Sequence, residues 1–94
     1  MLSTKTGKIS MKTCIYNASG VGCRTHEELL KLNNCNSVGA VISKSTTLFP
    51  RDGNLEPRYW DNGSNLSINS SGLPNKGYYY YLDYQIITSI NKPY

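Results

Sequence analysis

The sequence predicts an α/β fold built from βα units around a parallel sheet. Two short segments rich in apolar and β-branched residues, 12–16 and 38–43, flank a segment that carries helix signals. A strand, helix, strand order is typical of a βαβ unit with a right-handed crossover. In such folds ligands bind at the carboxyl ends of the strands, where this chain carries small and charged residues.

Two strands are predicted at the start of the chain, over Thr4–Ile9 and Lys12–Tyr16. The second leads into Asn17-Ala18-Ser19-Gly20, and small residues at the end of a strand leave room for a flat ligand. A plain turn is the competing interpretation of this motif.

A helix is predicted from His26 to about Leu32. Thr25 and Glu28 have the spacing of a capping box, in which each side chain accepts a hydrogen bond from a backbone N–H at the start of the helix. Asn33 is expected to end the helix. His26 is interpreted as a solvated helix residue and not as a catalytic base.

The next predicted strand, Val38–Ser43, has the apolar composition of a buried parallel strand. Lys44 and Ser45 follow at its carboxyl end. An ammonium group that is partly withdrawn from water favours an anionic partner. The position of Lys44 therefore predicts that an anion binds there. We expect Lys44 and Ser45 to face residues 18–20 across one site.

A long connection, 46–66, contains a turn at Pro50–Gly53 and a predicted hairpin in which Arg58–Trp60 and Leu66–Ile68 flank an Asn-Gly turn. Long loops in compact domains are usually functional. The stretch Ser67–Asn75 follows and is rich in Asn, Ser and Gly. It therefore offers many hydrogen-bonding groups to a small polar ligand.

One helix is predicted over Gly77–Ile90, and it is ended by Lys92 and Pro93. Helical spacing places the four consecutive tyrosines, 78–81, on different faces. They are therefore expected to pack against a sheet and a neighbouring subunit. The alternative is a platform on which bases or sugars stack.

Composition and charge argue against several classes of protein. The net charge is +4, but the basic residues are spread evenly along the chain, which disfavours nucleic-acid binding. Arg51 and Arg58 are interpreted as solvated. No run approaches the roughly 20 apolar residues of a membrane span. The three cysteines form no CxxC pair, no secretory signal precedes them and no metal cluster is apparent, which favours a reduced, cytoplasmic setting.

The predicted elements are too few for a complete parallel sheet. Two parallel strands leave an unpaired edge on each side, and 38% hydrophobic residues provide a modest core. The pattern is typical of the beginning of a larger α/β protein, so residues 1–94 are expected to be part of one domain.

Five segments, in order and with matching spacing, resemble the amino-terminal part of the class 1A dihydroorotate dehydrogenases, which are cytosolic and use fumarate. They extend from residue 17 to residue 84. The segments are Asn17-Ala18-Ser19-Gly20-Val21, Ala40-Val41-Ile42-Ser43-Lys44-Ser45, Arg51-Asp52-Gly53-Asn54-Leu55-Glu56-Pro57-Arg58-Tyr59, Ser67-Ile68-Asn69-Ser70-Ser71-Gly72-Leu73-Pro74-Asn75 and Tyr80-Tyr81-Leu82-Asp83-Tyr84.

The resemblance implies the amino-terminal βα units of an FMN-binding (β/α)8, or TIM, barrel, with the rest of this single domain absent from the chain. It also implies a homodimer. The implied FMN-binding residues are Ala18, Ser19, Gly20, Lys44 and Ser45. The implied substrate-binding residues are Lys44, Asn69, Ser70, Ser71, Gly72 and Leu73.

The implied activity is the oxidation of (S)-dihydroorotate to orotate in de novo pyrimidine biosynthesis, with fumarate as the acceptor. Lys44 would pair with the orotate carboxylate in a charge-assisted hydrogen bond. FMN supplies the redox chemistry, and a cysteine base lies downstream in the family. No cysteine of this chain matches that base. The chain therefore holds no catalytic residue and is expected to be inactive alone.

Two positions depart from the family pattern, and two other classes of function remain open. Ser71 stands where the family usually has methionine, and Leu55 where it usually has proline. One alternative is a non-catalytic truncated remnant or partner-binding fragment. The other is a tyrosine-rich carbohydrate or single-strand binding module, which would depend on residues 78–81 and not on Lys44.

Overall fold

The computed structural model describes residues 2–94, which form a small α/β arrangement. Its two sheets each contain two antiparallel strands, β1 with β2 and β3 with β4. The elements in chain order are β1 Thr4–Thr6, β2 Ile9–Met11, α1 His26–Asn33, β3 Tyr59–Asp61, β4 Ser67–Asn69, α2 Tyr78–Tyr81 and α3 Tyr84–Ser89.

The first sheet is a hairpin and not the beginning of a parallel sheet. Gly7 has a φ of 60°, and together with Lys8 it turns the chain back so that β1 pairs with β2. The predicted strand over Thr4–Ile9 is therefore divided by a turn. The predicted strand over Lys12–Tyr16 is wrong, since the second strand ends at Met11.

The predicted strand Val38–Ser43 does not form, and a single parallel bridge is present in place of the predicted parallel sheet. Tyr16 and Ala40 form an isolated parallel bridge, and the Gly39 N–H donates to the Ile15 carbonyl over 2.7 Å. The two segments thus run side by side in the predicted direction, but no regular strand forms over 38–43.

A side chain explains why the parallel ladder stops. Asn17 Oδ1 accepts from the Ile42 N–H and Asn17 Nδ2 donates to the Ile42 carbonyl, each over 2.8 Å. The amide group satisfies both backbone groups that a neighbouring strand would otherwise pair. The segment that follows Ala40 is therefore held beside Asn17 without belonging to a sheet.

Helix α1 confirms its prediction. The Thr25 side chain accepts from the Glu28 N–H, and the Glu28 carboxylate accepts from the Thr25 N–H, each over 3.2 Å, which completes the capping box. Leu29 is fully buried, while Leu30 and Leu32 pack against the core from its margin.

Replacing Thr25 by alanine is expected to lower the free energy of unfolding by about 1 kcal/mol, because the Glu28 N–H loses its partner. The measurement is the shift of the urea-unfolding midpoint of the folded protein. Lys31→Ala is the control, since Lys31 lies on the same helix in an exposed pair with Glu27. Equal midpoints for the two variants would contradict a contribution from the cap.

The single helix predicted over Gly77–Ile90 is wrong, because two short helices, α2 and α3, occupy this stretch. Asp83 separates them. Its backbone is not helical, with φ −59° and ψ 138°, and its side chain accepts from the Gln85 N–H over 2.9 Å. Asp83 therefore begins α3 as an N-cap, and this competes with continuation of α2.

The core gathers residues from the helices and their ends, from the loop before α1 and from the segment after Ala40. Its buried members are Cys23, Leu29, Val41, Tyr81, Ile86 and Ile90. Tyr80 packs at the margin of this core and stacks on the His26 ring, with the ring centroids 3.8 Å apart. His26 is therefore half-buried against an aromatic ring, which corrects its interpretation as a solvated residue.

The hairpin in the long connection confirms its prediction, with each strand one residue later than expected. The Asn62 side chain organises the turn, because its Oδ1 accepts from the N–H groups of Ser64, Asn65 and Leu66 over 3.0–3.1 Å. The hairpin's side chains are exposed. No helix within residues 2–94 is long and apolar enough to cross a bilayer.

Candidate functional site

The residues expected to bind a cofactor lie together. Ser19 Oγ donates to the Ser43 carbonyl and lies 3.0 Å from Ser45 Oγ. Ser45 Oγ also donates to the Ser19 carbonyl over 3.1 Å. The small-residue turn after Tyr16 and the segment that ends in Lys44 and Ser45 therefore meet, as the sequence predicts.

A buried cysteine joins the two halves of this cluster. Cys23 Sγ donates to the Gly20 carbonyl over 3.2 Å, and the Gly20 N–H donates to the Ala18 carbonyl over 2.8 Å. The backbone carbonyl of Cys23 accepts from the Lys44 N–H over 3.0 Å. From the sequence, Cys23 is excluded as the catalytic base. No pattern in the sequence predicts that Cys23 forms hydrogen bonds with both Gly20 and Lys44.

Lys44 is half-buried, and its positive charge has no ion-pair partner among residues 2–94. Burial raises the pKa of the Cys23 thiol, and the positive charge of Lys44 offsets part of that rise. Lys44 is therefore available to an anion from outside the described chain.

Cys23 is expected to resist alkylation while Cys14 and Cys35, which are exposed, react. Cys23 is fully buried and its pKa is raised, so little thiolate is available at pH 8. Burial raises the pKa of Cys23 only in the folded state, so the unfolded chain loses this proton first as the pH rises. The free energy of unfolding should therefore fall in alkaline solution, once the unfolded thiol ionises. Peptide mass spectrometry after iodoacetamide treatment measures the labelling, and equal modification of all three cysteines would contradict it.

In the loop expected to bind substrate, the backbone carbonyls of residues 70–73 all accept hydrogen bonds from the surrounding chain. Asn54 holds two of them: its side chain donates to the Ser70 carbonyl over 2.8 Å and its backbone N–H to the Ser71 carbonyl over 2.9 Å. Arg51 Nε donates to the Gly72 carbonyl over 3.1 Å. Asn75 Nδ2 donates to the Leu73 carbonyl over 2.9 Å.

The N–H groups of the same loop are free. Those of Ser71, Gly72 and Leu73 make no hydrogen bond to any residue in the range 2–94. Gly72 has a φ of 80° and Leu73 a φ of 57°, and a non-glycine residue rarely adopts a positive φ. Three consecutive donors without partners, on a backbone that is fixed in an unusual conformation, are suited to a ligand with acceptor atoms.

The loop begins at the end of β4. Asn69 pairs with Tyr59 in the hairpin, and its Oδ1 accepts from Ser71 Oγ over 3.3 Å. The Ser70 N–H donates to the Arg58 carbonyl over 2.9 Å. Five of the six predicted substrate residues, 69–73, therefore form one continuous surface loop, and Lys44 lies outside it.

The two arginines of the long connection support this loop. Arg58 is half-buried, which corrects its interpretation as a solvated residue, whereas Arg51 is exposed as expected. Arg58 Nη1 donates to the carbonyls of Asp52 and Asn54 over 2.9 and 3.1 Å, and Arg58 Nε lies 3.1 Å from the Glu56 carboxylate. Arg51 holds Gly72, as described above. Sequence reasoning also missed Asn54, since nothing distinguishes its amide from those of exposed asparagines.

The structure does not bring the two groups of residues into direct hydrogen-bonded contact within residues 2–94. They are connected through Asn75, whose Oδ1 accepts from Thr46 Oγ1 over 2.8 Å and from the Thr47 N–H over 3.2 Å. The same range contains no group of three or more His, Cys, Asp or Glu side chains placed to hold a metal ion.

Comparison with known proteins identifies the family. The family model described as dihydroorotate dehydrogenase matches residues 1–93. A Streptococcus equi subsp. equi protein named dihydroorotate dehydrogenase A (fumarate) is 48% identical over 90 residues, which is 96% of this chain and 28% of the relative. A Streptococcus pneumoniae (strain R6) protein of the same name is 49% identical over 86 residues, or 89% of this chain and 27% of the relative.

A third relative with that name, from Streptococcus agalactiae (strain A909), is 47% identical over 83 residues, which cover 88% of this chain and 26% of the relative. The chain thus spans little more than a quarter of the length of these proteins. The match extends through both groups of site residues described above. The chain belongs to the dihydroorotate dehydrogenase family.

Proposed function

We propose that this chain forms the FMN- and substrate-facing amino-terminal part of an enzyme that oxidises (S)-dihydroorotate to orotate, with fumarate as the acceptor. The name shared by the relatives suggests the reaction and the acceptor. The observation that carries the proposal is the loop 70–73, whose carbonyls are tied while three of its N–H groups have no partner in the described chain.

The charge and hydrogen-bonding pattern of the site suits orotate. Its carboxylate needs cationic or N–H donors, and its ring presents carbonyl acceptors as well as N–H donors. Lys44 provides a cation without an ion-pair partner among residues 2–94, and the N–H groups of Gly72 and Leu73 provide neutral donors. Charge-assisted bonds of this kind are shorter and stronger than neutral ones.

The small-residue cluster is suited to FMN. A side-chain carbon added at Gly20 would meet no atom within 4 Å, and Ala18 is exposed, so the surface above this turn is open to a flat ring. The hydroxyl groups of Ser19 and Ser45 and the ammonium group of Lys44 would hold and orient the cofactor. When bound, FMN supplies the two-electron redox chemistry.

Residues 1–94 would form the beginning of a single FMN-binding (β/α)8 barrel domain. The parallel bridge between Tyr16 and Ala40 supports this arrangement, as does the 2.8 Å bond from the Val41 N–H to the Pro93 carbonyl, because three successive segments then lie side by side. The complete enzyme would be a cytoplasmic homodimer of de novo pyrimidine biosynthesis. This segment alone would be inactive, since the catalytic base is expected downstream.

The test uses a fusion protein, the joined enzyme. In it, this chain is followed by the part of the Streptococcus equi relative that lies beyond the matched segment. We expect it to purify with bound FMN, to bind orotate and to reduce fumarate with dihydroorotate. The control is the same carboxyl-terminal part without residues 1–94. A folded joined enzyme that binds neither FMN nor orotate would contradict the proposal.

The tyrosine-rich alternative gains no support from the geometry of residues 78–81. Tyr81 is buried and its hydroxyl donates to the Arg24 carbonyl over 2.8 Å. Tyr80 stacks on His26, and its ring is nearly perpendicular to that of Tyr81. The four rings therefore do not form one platform for bases or sugars.

A further inference from the structure

We infer that Asn75 is a positioning residue that sets the geometry of the substrate loop relative to the segment that follows Lys44. This inference rests on the proposed function. Asn75 is only 1% exposed, and its side chain lies between the two groups of site residues. It has no expected contact with the substrate and would act through the backbone groups that it holds.

The acceptor atom of Asn75 holds the segment after Lys44. Its Oδ1 accepts from Thr46 Oγ1 over 2.8 Å and from the N–H groups of Thr47 and Gly77 over 3.2 and 2.8 Å. Thr47 and Gly77 are 30 positions apart in the sequence, and the backbone N–H groups of both donate to the same atom, Asn75 Oδ1. Lys44 stands three residues before Thr47.

The donor group of Asn75 holds the substrate loop. Its Nδ2 donates to the Leu73 carbonyl over 2.9 Å and to Thr47 Oγ1 over 3.1 Å. The bond to Leu73 fixes the residue whose φ is 57°, and it leaves the N–H of Leu73 free for a ligand. The backbone of Asn75 also pairs with Arg51 over 2.9 and 3.0 Å, and Arg51 in turn holds Gly72.

No other residue type reproduces this set of bonds at a buried position. Aspartate lacks the Nδ2 donor, glutamine is longer by one methylene, and threonine and serine lack the second polar atom. A buried amide that satisfies several backbone groups at once constrains them to one relative geometry. The loop and the Lys44 segment are therefore expected to move apart when the amide is removed.

The experiment compares Asn75→Ala with Asn33→Ala in the joined enzyme. Asn33 is a matched control, because it is also buried, at 8% exposure, and its side chain holds the Asn91 N–H and the Ser89 carbonyl far along the chain from the loop. Flavin absorbance gives the orotate Kd and the FMN content. Amide hydrogen exchange at Thr47 and Gly77 reports the loss of their bonds to Asn75 Oδ1. Exchange at Asn54 reports the loop, because the Asn54 N–H donates to the Ser71 carbonyl.

We expect both variants to lose thermal stability, but only Asn75→Ala to weaken orotate binding, by at least about tenfold, while FMN stays bound. Exchange at Thr47, Gly77 and Asn54 should accelerate at least about tenfold in this variant alone. An orotate Kd within about twofold of the unsubstituted value would overturn the inference, and so would an equal loss of affinity in Asn33→Ala.

Thr46→Val provides a milder variant in case Asn75→Ala does not fold. It removes one bond to Asn75 Oδ1 at an exposed residue, and a weakening of orotate binding by about two- to fivefold is expected. Unchanged affinity in a folded Thr46→Val protein would count against the inference. If the unsubstituted joined enzyme binds no orotate, the proposed function fails, and the exchange rate at Asn54, whose N–H donates to the Ser71 carbonyl, still decides whether Asn75 positions the loop.

Discussion

Replacing Lys44 by alanine in the joined enzyme is expected to weaken orotate binding by about 3 kcal/mol, or roughly a hundredfold in Kd. Lys44 is half-buried and forms no ion pair within residues 2–94, so its charge is free to pair with the carboxylate of orotate. Without it, that carboxylate would lose its charge-assisted hydrogen bond to this chain. Titration of the flavin absorbance with orotate measures the effect.

Two further variants separate the charge from the shape of Lys44. Lys44→Met keeps most of the side-chain volume and removes the charge, so it is expected to behave as Lys44→Ala does. Lys31→Ala removes an exposed lysine of α1 and is expected to leave the Kd unchanged. Orotate affinity within about twofold of the unsubstituted value in both Lys44 variants would show that Lys44 does not hold the carboxylate.

Replacing Gly39 by alanine is expected to destabilise the joined enzyme by about 3 kcal/mol and to lower its FMN content. A side-chain carbon at this position would lie far inside van der Waals contact with the backbone carbonyl of Thr13, which cannot move as a flexible side chain can. The added carbon would therefore separate the segment around Ile15 from the segment around Ala40. Those are the two segments that bring Ser19 and Ser45 together.

Gly63→Ala is the matched control for this substitution. Gly63 has a φ of 77°, which alanine adopts at a cost of about 1 kcal/mol, but nothing lies within 4 Å of the added carbon. The midpoint of flavin release on heating and the ratio of FMN to protein measure both variants. A smaller midpoint shift for Gly39→Ala than for Gly63→Ala would contradict the steric argument.

Local signals in the sequence predict some elements well. The capping box at Thr25 and Glu28 and the Asn-Gly turn at Asn62 depend on residues within a few positions of one another, and both form as predicted. The small residues after Tyr16 and the pair Lys44 and Ser45 also meet as expected. Here the prediction needed only the direction of two neighbouring segments, which the order of elements supplied.

The incorrect predictions share a physical cause, which is a polar side chain or a glycine that outweighs an apolar pattern. The Asn17 amide pairs with Ile42 and ends the parallel ladder, and Asp83 caps α3 and divides a stretch with helical spacing. Gly7 turns the first strand back on itself. The contacts of Asn54 with Ser70 and of Asn75 with Thr46 and Thr47 join residues 16 to 29 positions apart, and no local pattern indicates such partners.

The tied carbonyls of residues 70–73 have a consequence for binding kinetics. A loop that is already held by Asn54, Arg51 and Asn75 has little conformational entropy left to lose when a ligand arrives. Association is then limited by encounter and by release of water, and not by a slow ordering step. The observed rate of orotate binding should therefore increase linearly with orotate concentration, without a plateau, in a single exponential phase.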